Sequence, residues 1–299
     1  MDIGVITPSN STEGSETKDI ISAIRKSGNT PVPINIQNIV VKIGRGGVVP
    51  HCLSEFTKES RIDLDCAVFR HIGIINDYEQ FSQRIWAVRS MEMNGTYTAN
   101  NILGWVRASD KLGTLMELSA HGIRVPQTMS GESFFSGYAA VKEFGSAVVK
   151  PLRSGKGLGV FKVDDPDVAM HIFSYFTNLS KPIYVQKYLD KVGGGDYRVV
   201  VVGGGVIGAE YRKGTGWKSN VAQGAKARAV KPSAALSELA IKATEAMELD
   251  YAGVDIAETR DGYFVLETNP TVAWLTFRKT TGVNPAEHIV RHMIRKSKS

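Results

Sequence analysis

Cysteine is scarce in this chain. Cys52 and Cys66 are the only two in 299 residues, and no Cys-x-x-Cys occurs. That excludes a disulfide framework, and both are read as small buried hydrophobes. Histidine is sparse as well, with six in all. His288 and His292 stand four residues apart on one helix face, but no Glu follows the first, so the metalloprotease pattern is missing. The pair is read as solvated or at the edge of a core. There is no Gly-x-Ser-x-Gly and no cysteine–histidine arrangement suited to a nucleophile. No stretch is apolar over the roughly 18 residues of a membrane span. The opening Met1–Thr7 lacks the basic region of a secretory signal. The expectation is therefore a cytoplasmic protein with no membrane association.

What is present is ordinary globular composition, 42% hydrophobic and 22% charged. The net charge of +6 permits nucleic-acid binding without requiring it. Part of the excess lies in the tail Arg291–Lys298, where cations suit a helix C-terminus. Nucleic acid is disfavoured as a partner. A homo-oligomer is left open.

The first hundred residues alternate strand and helix signals: strand Ile3–Thr7, helix Glu16–Ser27 ended by Gly28, strand Pro31–Ile36, strand Leu64–Arg70. This βαβ pattern predicts a parallel sheet. No Gly-x-Gly-x-x-Gly follows the first strand, so no dinucleotide site is assigned there. Further on, Ser109-Asp110 caps a helix Lys111–His121 that stops at Gly122. Val125–Thr128 reads as a linker or short strand. Ala147–Lys150 and Ile183–Tyr188 read as strands, and Tyr197–Val202 with Val206–Tyr211 as a hairpin about Gly203-Gly204-Gly205. A helix Ser233–Met247 follows, and an amphipathic helix Pro285–Lys296 ends the chain. The fold class is α/β (α+β), with a parallel first lobe over 1–105, a central lobe over 106–185 and an antiparallel C-terminal lobe over 186–299.

The most informative stretch is Ala252–Asn269, two short apolar strands joined at Asp261-Gly262. Its strands carry Asp255, Glu267 and Asn269, residue types that strand interiors normally lack. A two-residue loop at Asp261-Gly262 would pair Asp255 with Thr268. A three-residue loop, Arg260-Asp261-Gly262, would pair Asp255 with Glu267, place Asn269 on the same face and turn Ile256, Leu266 and Thr268 to the other. The second register is preferred, because two carboxylates and an amide oxygen suit a hard divalent ion that also takes phosphate oxygens. An exposed polar sheet face is the plainer alternative.

Three further segments carry phosphate-type chemistry. Lys150 ends a strand and leads into Arg153-Ser154-Gly155-Lys156-Gly157-Leu158-Gly159. Glycines there let backbone N–H groups approach phosphate oxygens. The loop fits neither the Walker A nor the dinucleotide fingerprint. Gln186-Lys187-Tyr188 could read an adenine edge at a strand end, and Asp196, ten residues on, could accept from ribose hydroxyls. Arg212-Lys213…Lys218-Ser219-Asn220 is cationic and glycine-punctuated, suited to an anionic substrate. Each segment alone reads better as an ordinary loop or strand.

Their order is what is distinctive. Ala108–Leu112, Val148–Pro151 with its loop, Val185–Tyr188, Asp196–Arg198, Lys218–Asn220, Ala252–Asp255 and Leu266–Asn269 together resemble the ATP-grasp fold, and within it the RimK-like amino-acid ligases, from about Asn94 to His292. The resemblance implies N-terminal, central and C-terminal lobes clasping ATP. Lys111, Lys150, Ser154, Gly155, Lys156 and Gly157 would hold phosphates. Gln186, Lys187 and Tyr188 would hold adenine, and Asp196 the ribose. Lys218, Ser219 and Asn220 would face triphosphate and substrate. Asp255, Glu267 and Asn269 would hold two Mg²⁺ (or Mn²⁺) ions. Arg198 and Arg212, with Lys218 and Asn220, would offset charge during the reaction. That reaction is the joining of L-glutamate to a carboxylate through an acyl phosphate. Among its acids the resemblance favours the tetrahydromethanopterin coenzyme tail, ahead of a deazaflavin coenzyme, a ribosomal protein or an amino-acid carrier protein. An inactive ATP-grasp scaffold that binds nucleotide or RNA is the competing class. The sequence departs from the family after Asn269, where Pro270–Trp274 replaces the usual Ser/Thr-Pro-Gly.

Overall fold

The computed structural model describes residues 1–8, 12, 15–54, 58–73, 77–152 and 158–298. The chain opens with β1 (Asp2–Thr7), α1 (Ser15–Lys26) and β2 (Thr30–Asn35). Next come β3 (Ile39–Gly44), β4 (Gly47–Ser54) and β5 (Lys58–Arg61), then β6 (Cys66–Phe69), α2 (Tyr78–Met93) and β7 (Tyr97–Ala99). Strands β2-β1-β6-β7 form the expected parallel sheet. Strands β3, β4 and β5 form a separate antiparallel sheet that the sequence reading leaves unassigned. Its exposed strand ends and Lys58–Arg61, with every residue exposed, lack the apolar alternation that marks a half-buried strand.

Two helices, α3 (Ile102–Ala108) and α4 (Lys111–Ala120), lead to the centre of the chain. Asp110 caps α4 as its sequence predicts, its Oδ1 accepting from the Gly113 N–H at 2.7 Å, a cap worth about 1 kcal/mol. Gly122 then stops the helix chain at positive φ, +71°. The cap fixes Lys111 as the first helical residue. The central sheet is antiparallel. It is built from β8 (Thr128–Gly131), α5 (Phe134–Phe144), β9 (Ala147–Val149), β10 (Phe161–Val163), α6 (Pro166–Asn178) and β11 (Ile183–Lys187), in strand order β10-β9-β11-β8. It closes over its own apolar core, in which Val141, Val149, Phe173, Ile183 and Val185 are buried.

The third sheet runs β14-β13-β12-β15-β16 and is antiparallel throughout. Its strands are β12 (Gly195–Val202), β13 (Gly205–Lys213), β14 (Lys226–Val230), β15 (Tyr251–Thr259) and β16 (Gly262–Asn269). The helices α7 (Ala234–Ala246), α8 (Leu275–Thr281) and α9 (Pro285–Lys296) complete the chain. The two-residue period of a strand divides the work of its faces. Val199, Val201, Val254 and Ile256 face a core shared with α7 and α4. Val200, Val202 and Tyr251 point the other way, into a core built with β1, β6, α1 and α9. That core holds Ile3, Val5, Ile20 and Ile24 beside Trp274, Phe277, Ile289 and Met293. Burial of Phe277 alone, at 1% exposure, contributes about 1.5–3 kcal/mol. Asn100 pins the same junction. Its amide donates to the carbonyls of Tyr251 (3.0 Å) and Pro270 (3.1 Å) and accepts from the backbone N–H of Asp250 (2.8 Å) and Tyr251 (2.9 Å). His292 belongs here too, buried and 2.9 Å from Asp250, while His288 takes no part in the contact.

Candidate active site

Residues 198 and 200 of β12 point the same way, as do 253 and 255 of β15. The face that meets the first sheet at one end of these strands therefore continues, at the other end, as the floor of a cleft. Where the partners become polar the packing stops and the cleft begins. Its volume is about 680 Å³. Fourteen of the site residues that the family resemblance implies line it: Lys111, Lys150, Gln186, Lys187, Tyr188, Asp196, Arg198, Arg212, Lys218, Ser219, Asn220, Asp255, Glu267 and Asn269. Ser154, Gly155, Lys156 and Gly157 lie outside the described residues.

The floor is a transverse row of charge. Glu210, Arg198, Asp255 and Glu267 stand directly opposite one another on β13, β12, β15 and β16. The pairing of Asp255 with Glu267 is the preferred one, but it arises differently from the expectation. The loop is the two residues Arg260-Asp261, with Thr259 opposite Gly262. The register is then shifted by one extra residue, a bulge between the Ile256–Val265 and Asp255–Glu267 pairs. Thr259 closes the short loop, its hydroxyl accepting from the Asp261 N–H (3.1 Å) and donating to the Gly262 carbonyl (3.1 Å). The bulge also corrects the assignment of faces. Leu266 is the extra residue and lines the cleft, while Val265, fully buried, takes the core position beside Ile256.

Asp255 is held from two sides. Both nitrogens of the Arg198 fork donate to it, Nε to Oδ1 and Nη2 to Oδ2, the latter at 2.8 Å. An Arg212 Nη2 lies 2.9 Å from Oδ1. Burial would raise this carboxyl, but Arg198 and Arg212 outweigh it and hold it below the usual carboxylate range. Arg212 also donates to Asp196 Oδ1 from Nε (3.0 Å) and Nη2 (2.8 Å), and Lys191 reaches Asp196 Oδ2 at 3.3 Å. Lys191 further donates to the Ser219 hydroxyl at 2.7 Å, tying the 218–220 segment to β12.

The cleft wall from the central sheet follows the same two-residue logic. Val149, Ile183 and Val185 go into that sheet's core, and Val148 and Gln186 face the cleft. Lys150, just beyond β9, donates to Gln186 Oε1 at 2.6 Å. Burial lowers its affinity for a proton, to a pKa of about 8, against the opposing pull of Glu267. Lys111 approaches the same strand end, its Nζ 3.4 Å from the Leu152 carbonyl. Tyr188 packs edge-on to Trp217, over which the Lys218 ammonium lies at 5.2 Å.

The donor set fits a divalent cation at the Glu267 end. A carboxylate offers about four lone-pair sites. The two arginines occupy three on Asp255, leaving one on Oδ2. The Asn269 amide nitrogen donates to the Gly253 carbonyl at 3.3 Å, which leaves its oxygen free to coordinate. Among the described residues no three His, Cys, Asp or Glu side chains gather into a metal cluster. An ion here would draw on two carboxylates, one amide and phosphate oxygens, a set suited to Mg²⁺.

Sequence reasoning missed Lys191, Glu210 and Glu16, all of which line the cleft. For Glu210 a signal existed: it lies two residues from Arg212 on one strand, and so on the same face. Glu16 lies in the first turn of α1 and sits 3.9 Å from Arg70, a juxtaposition of distant positions within the first lobe that no local pattern announces.

Comparison with known proteins agrees with this geometry. Residues 108–293 match the RimK-like ATP-grasp domain. The chain is 32% identical to a probable alpha-L-glutamate ligase of Syntrophotalea carbinolica over 71% of either chain. It is 33% identical to the tetrahydromethanopterin:alpha-L-glutamate ligase of Methanocaldococcus jannaschii, over 79% of this chain and 81% of that one. Among solved structures, the ATP-grasp ligase PsnB, complexed with a phosphomimetic variant of minimal precursor, Mg and ADP, superposes with a TM-score of 0.75 at 18% identity. The match covers 99% of this chain and 98% of that one. A RimK domain ATP-grasp protein of Sphaerobacter thermophilus gives 0.71 at 21% identity, covering 98% and 99%. These two share the fold. With more than half of its length in the family domain and its phosphate-type residues gathered in one cleft, the chain belongs to the RimK-like ATP-grasp family and is an ATP-dependent ligase.

Proposed function

We propose that this ligase joins L-glutamate to the side-chain carboxylate of tetrahydromethanopterin, by way of an acyl phosphate made from ATP. The observation that carries the ligase chemistry is the single cleft onto which Lys150, the Arg198–Asp255–Glu267 row and the Lys218–Asn220 segment all open. The relative of that name, 33% identical over most of both chains, supports the choice of acid.

In this reading Lys150 and Lys111 hold the phosphates from the central side. Gln186, with the backbone of Lys187 and Tyr188, holds adenine, and Asp196 the ribose. Asp255, Glu267 and Asn269 hold two Mg²⁺ (or Mn²⁺) ions, which neutralise phosphate charge when bound. Arg198 and Arg212, fixed by Asp255 and Asp196, present preorganised positive charge where the γ-phosphoryl group is transferred. With the acid and L-glutamate lodged against them, the chain's contribution is position and charge.

The test is product analysis. Protein incubated with ATP, Mg²⁺, L-glutamate and tetrahydromethanopterin is expected to release ADP and phosphate, and mass spectrometry to find the coenzyme heavier by a glutamyl residue. Ligation only of a deazaflavin coenzyme, a ribosomal protein or a carrier protein would replace the acid. No acid-dependent ADP release with any of them, together with a gel shift of RNA, would favour an inactive nucleotide- or RNA-binding scaffold.

Lys150 gives this reading a pH signature. Its buried ammonium loses its proton at about pH 8 rather than 10.5. Only the charged form attracts phosphate, so ATP affinity should be full below pH 8 and fall as pH rises past it, by up to about tenfold per pH unit. Lys150→Ala should bind ATP weakly at every pH and lose this limb. Calorimetric titration of ATP from roughly pH 6.5 to roughly pH 9.5, a window that brackets this value, checks both. An unchanged affinity in the variant would remove Lys150 from the phosphate site.

A further inference from the structure

One carboxylate of the charged row neither pairs with a cation nor faces the ion end of the cleft. Glu210 is 4% exposed, and its Oε2 has no hydrogen-bond partner among the described residues. It lines the cleft and stands directly opposite Arg198, two residues from Arg212 on its own strand. Both arginines spend their bonds elsewhere: the Arg198 fork is engaged by Asp255, and Arg212 by Asp196 and Asp255. A buried carboxylate left beside two cations that are committed elsewhere is costly unless something else satisfies it. Such orphaned groups mark places where a ligand supplies the missing partner. Every other acid in the row has its cation, or faces the end where phosphates and ions would gather. A phosphate or a carboxylate beside Glu210 would repel it. An amine would not, since its N–H groups are donors and its ammonium form is cationic.

Resting on the ligase reading, we propose that Glu210 is the amine-binding residue of the cleft: its free oxygen accepts hydrogen bonds from the amino group of the incoming amino acid. Asp255, Glu267 and Lys150 then define the acid-activating end, and Glu210 the end from which the amine is presented. Arg198, opposite both Glu210 and Asp255, lies between the two. This divides the row by sign of ligand, with anionic substrate groups at one end and the cationic group at the other. Burial raises the proton affinity of Glu210, with Arg212 and Arg198 opposing and Asp255 and Asp196 adding to the rise. A cationic ligand offsets that penalty directly.

The experiment compares L-glutamate with glutarate, which keeps both carboxylates but lacks the amine. Binding is measured by calorimetry on the full chain with ADP and Mg²⁺ present. The wild type should bind L-glutamate at least about tenfold more tightly than glutarate, the scale of a charge-assisted hydrogen bond. Glu210→Gln should erase most of that preference without changing glutarate affinity, and Glu210→Asp should restore part of it. A Glu210→Gln protein that keeps the full preference would overturn the assignment. So would one in which both ligands weaken equally with an unchanged melting temperature, since the loss would then not concern the amine. No binding of L-glutamate by the wild type would instead refute the glutamate-ligase reading, and the amine site with it.

Discussion

Glu267→Gln is expected to abolish ligation while the protein keeps its stability. Glu267 ends the charged row on β16, at the edge of the third sheet, and lines the cleft rather than a core. No other side chain forms an ion pair with it among the described residues, so the exchange breaks none; the Lys150 ammonium, which Glu267 attracts from farther off, should lose its proton more readily. In the proposed site, however, the amide lacks the charge needed to hold divalent ions against a triphosphate. Loss of one preorganised electrostatic group in a phosphoryl-transfer site is worth about 10²–10³ in rate, and loss of an ion-holding carboxylate should reach at least that. Steady-state ADP release across a Mg²⁺ and Mn²⁺ titration, alongside a thermal melt, measures both sides. Full turnover in the variant would refute the ion assignment. A large drop in melting temperature would show that Glu267 has a structural duty as well.

Asp255→Ala should behave in the opposite manner, although Asp255 faces Glu267 directly across the strands. It is 8% exposed and engages both Arg198 and Arg212. Its removal leaves two guanidinium groups in a low-dielectric site, Arg198 without its carboxylate and Arg212 with Asp196 alone. Breaking a buried pair in this way costs about 3–5 kcal/mol. Urea unfolding should show the loss as a shifted midpoint with an unchanged slope. Activity should vanish as well, so stability, not turnover, distinguishes the two carboxylates. A loss below about 1 kcal/mol would mean that water screens the arginines and that the row is more open than its burial implies.

Much of this was legible in the residues themselves. Caps and stops fixed the helices, as with Asp110 and Gly122 about α4 and Pro285 at the start of α9. Two-residue alternation separated the cores from the cleft in β12 and β15. The pairing of Asp255 with Glu267 could be reasoned from the chemistry of the ligands, yet the local geometry that delivers it could not. A bulge has no fixed residue signature, and a loop one residue shorter with one extra residue at Leu266 reaches the same register. The sheet β3-β4-β5 went unassigned because β5 is wholly polar and the apolar residues of β3 and β4 run together, as at Val40-Val41 and Val48-Val49, instead of alternating with polar ones. The contacts of Arg198, Arg212 and Lys191 were out of reach for another reason. Long side chains choose among several acids by three-dimensional proximity, and strand position alone does not reveal that choice.

The shared core of the first and third sheets has a mechanical consequence. Trp274, Phe277, Ile289 and Met293 interleave with Ile3, Val5, Ile20 and Ile24, so the beginning and the end of the chain share one core and neither can leave it without exposing the other. The central sheet centres on a second core about Phe173 and Val185, and Tyr184 of β11 joins it to the core of the third sheet. Lys150 and Gln186 therefore reach the cleft from one packing unit, and Asp255 and Glu267 from another.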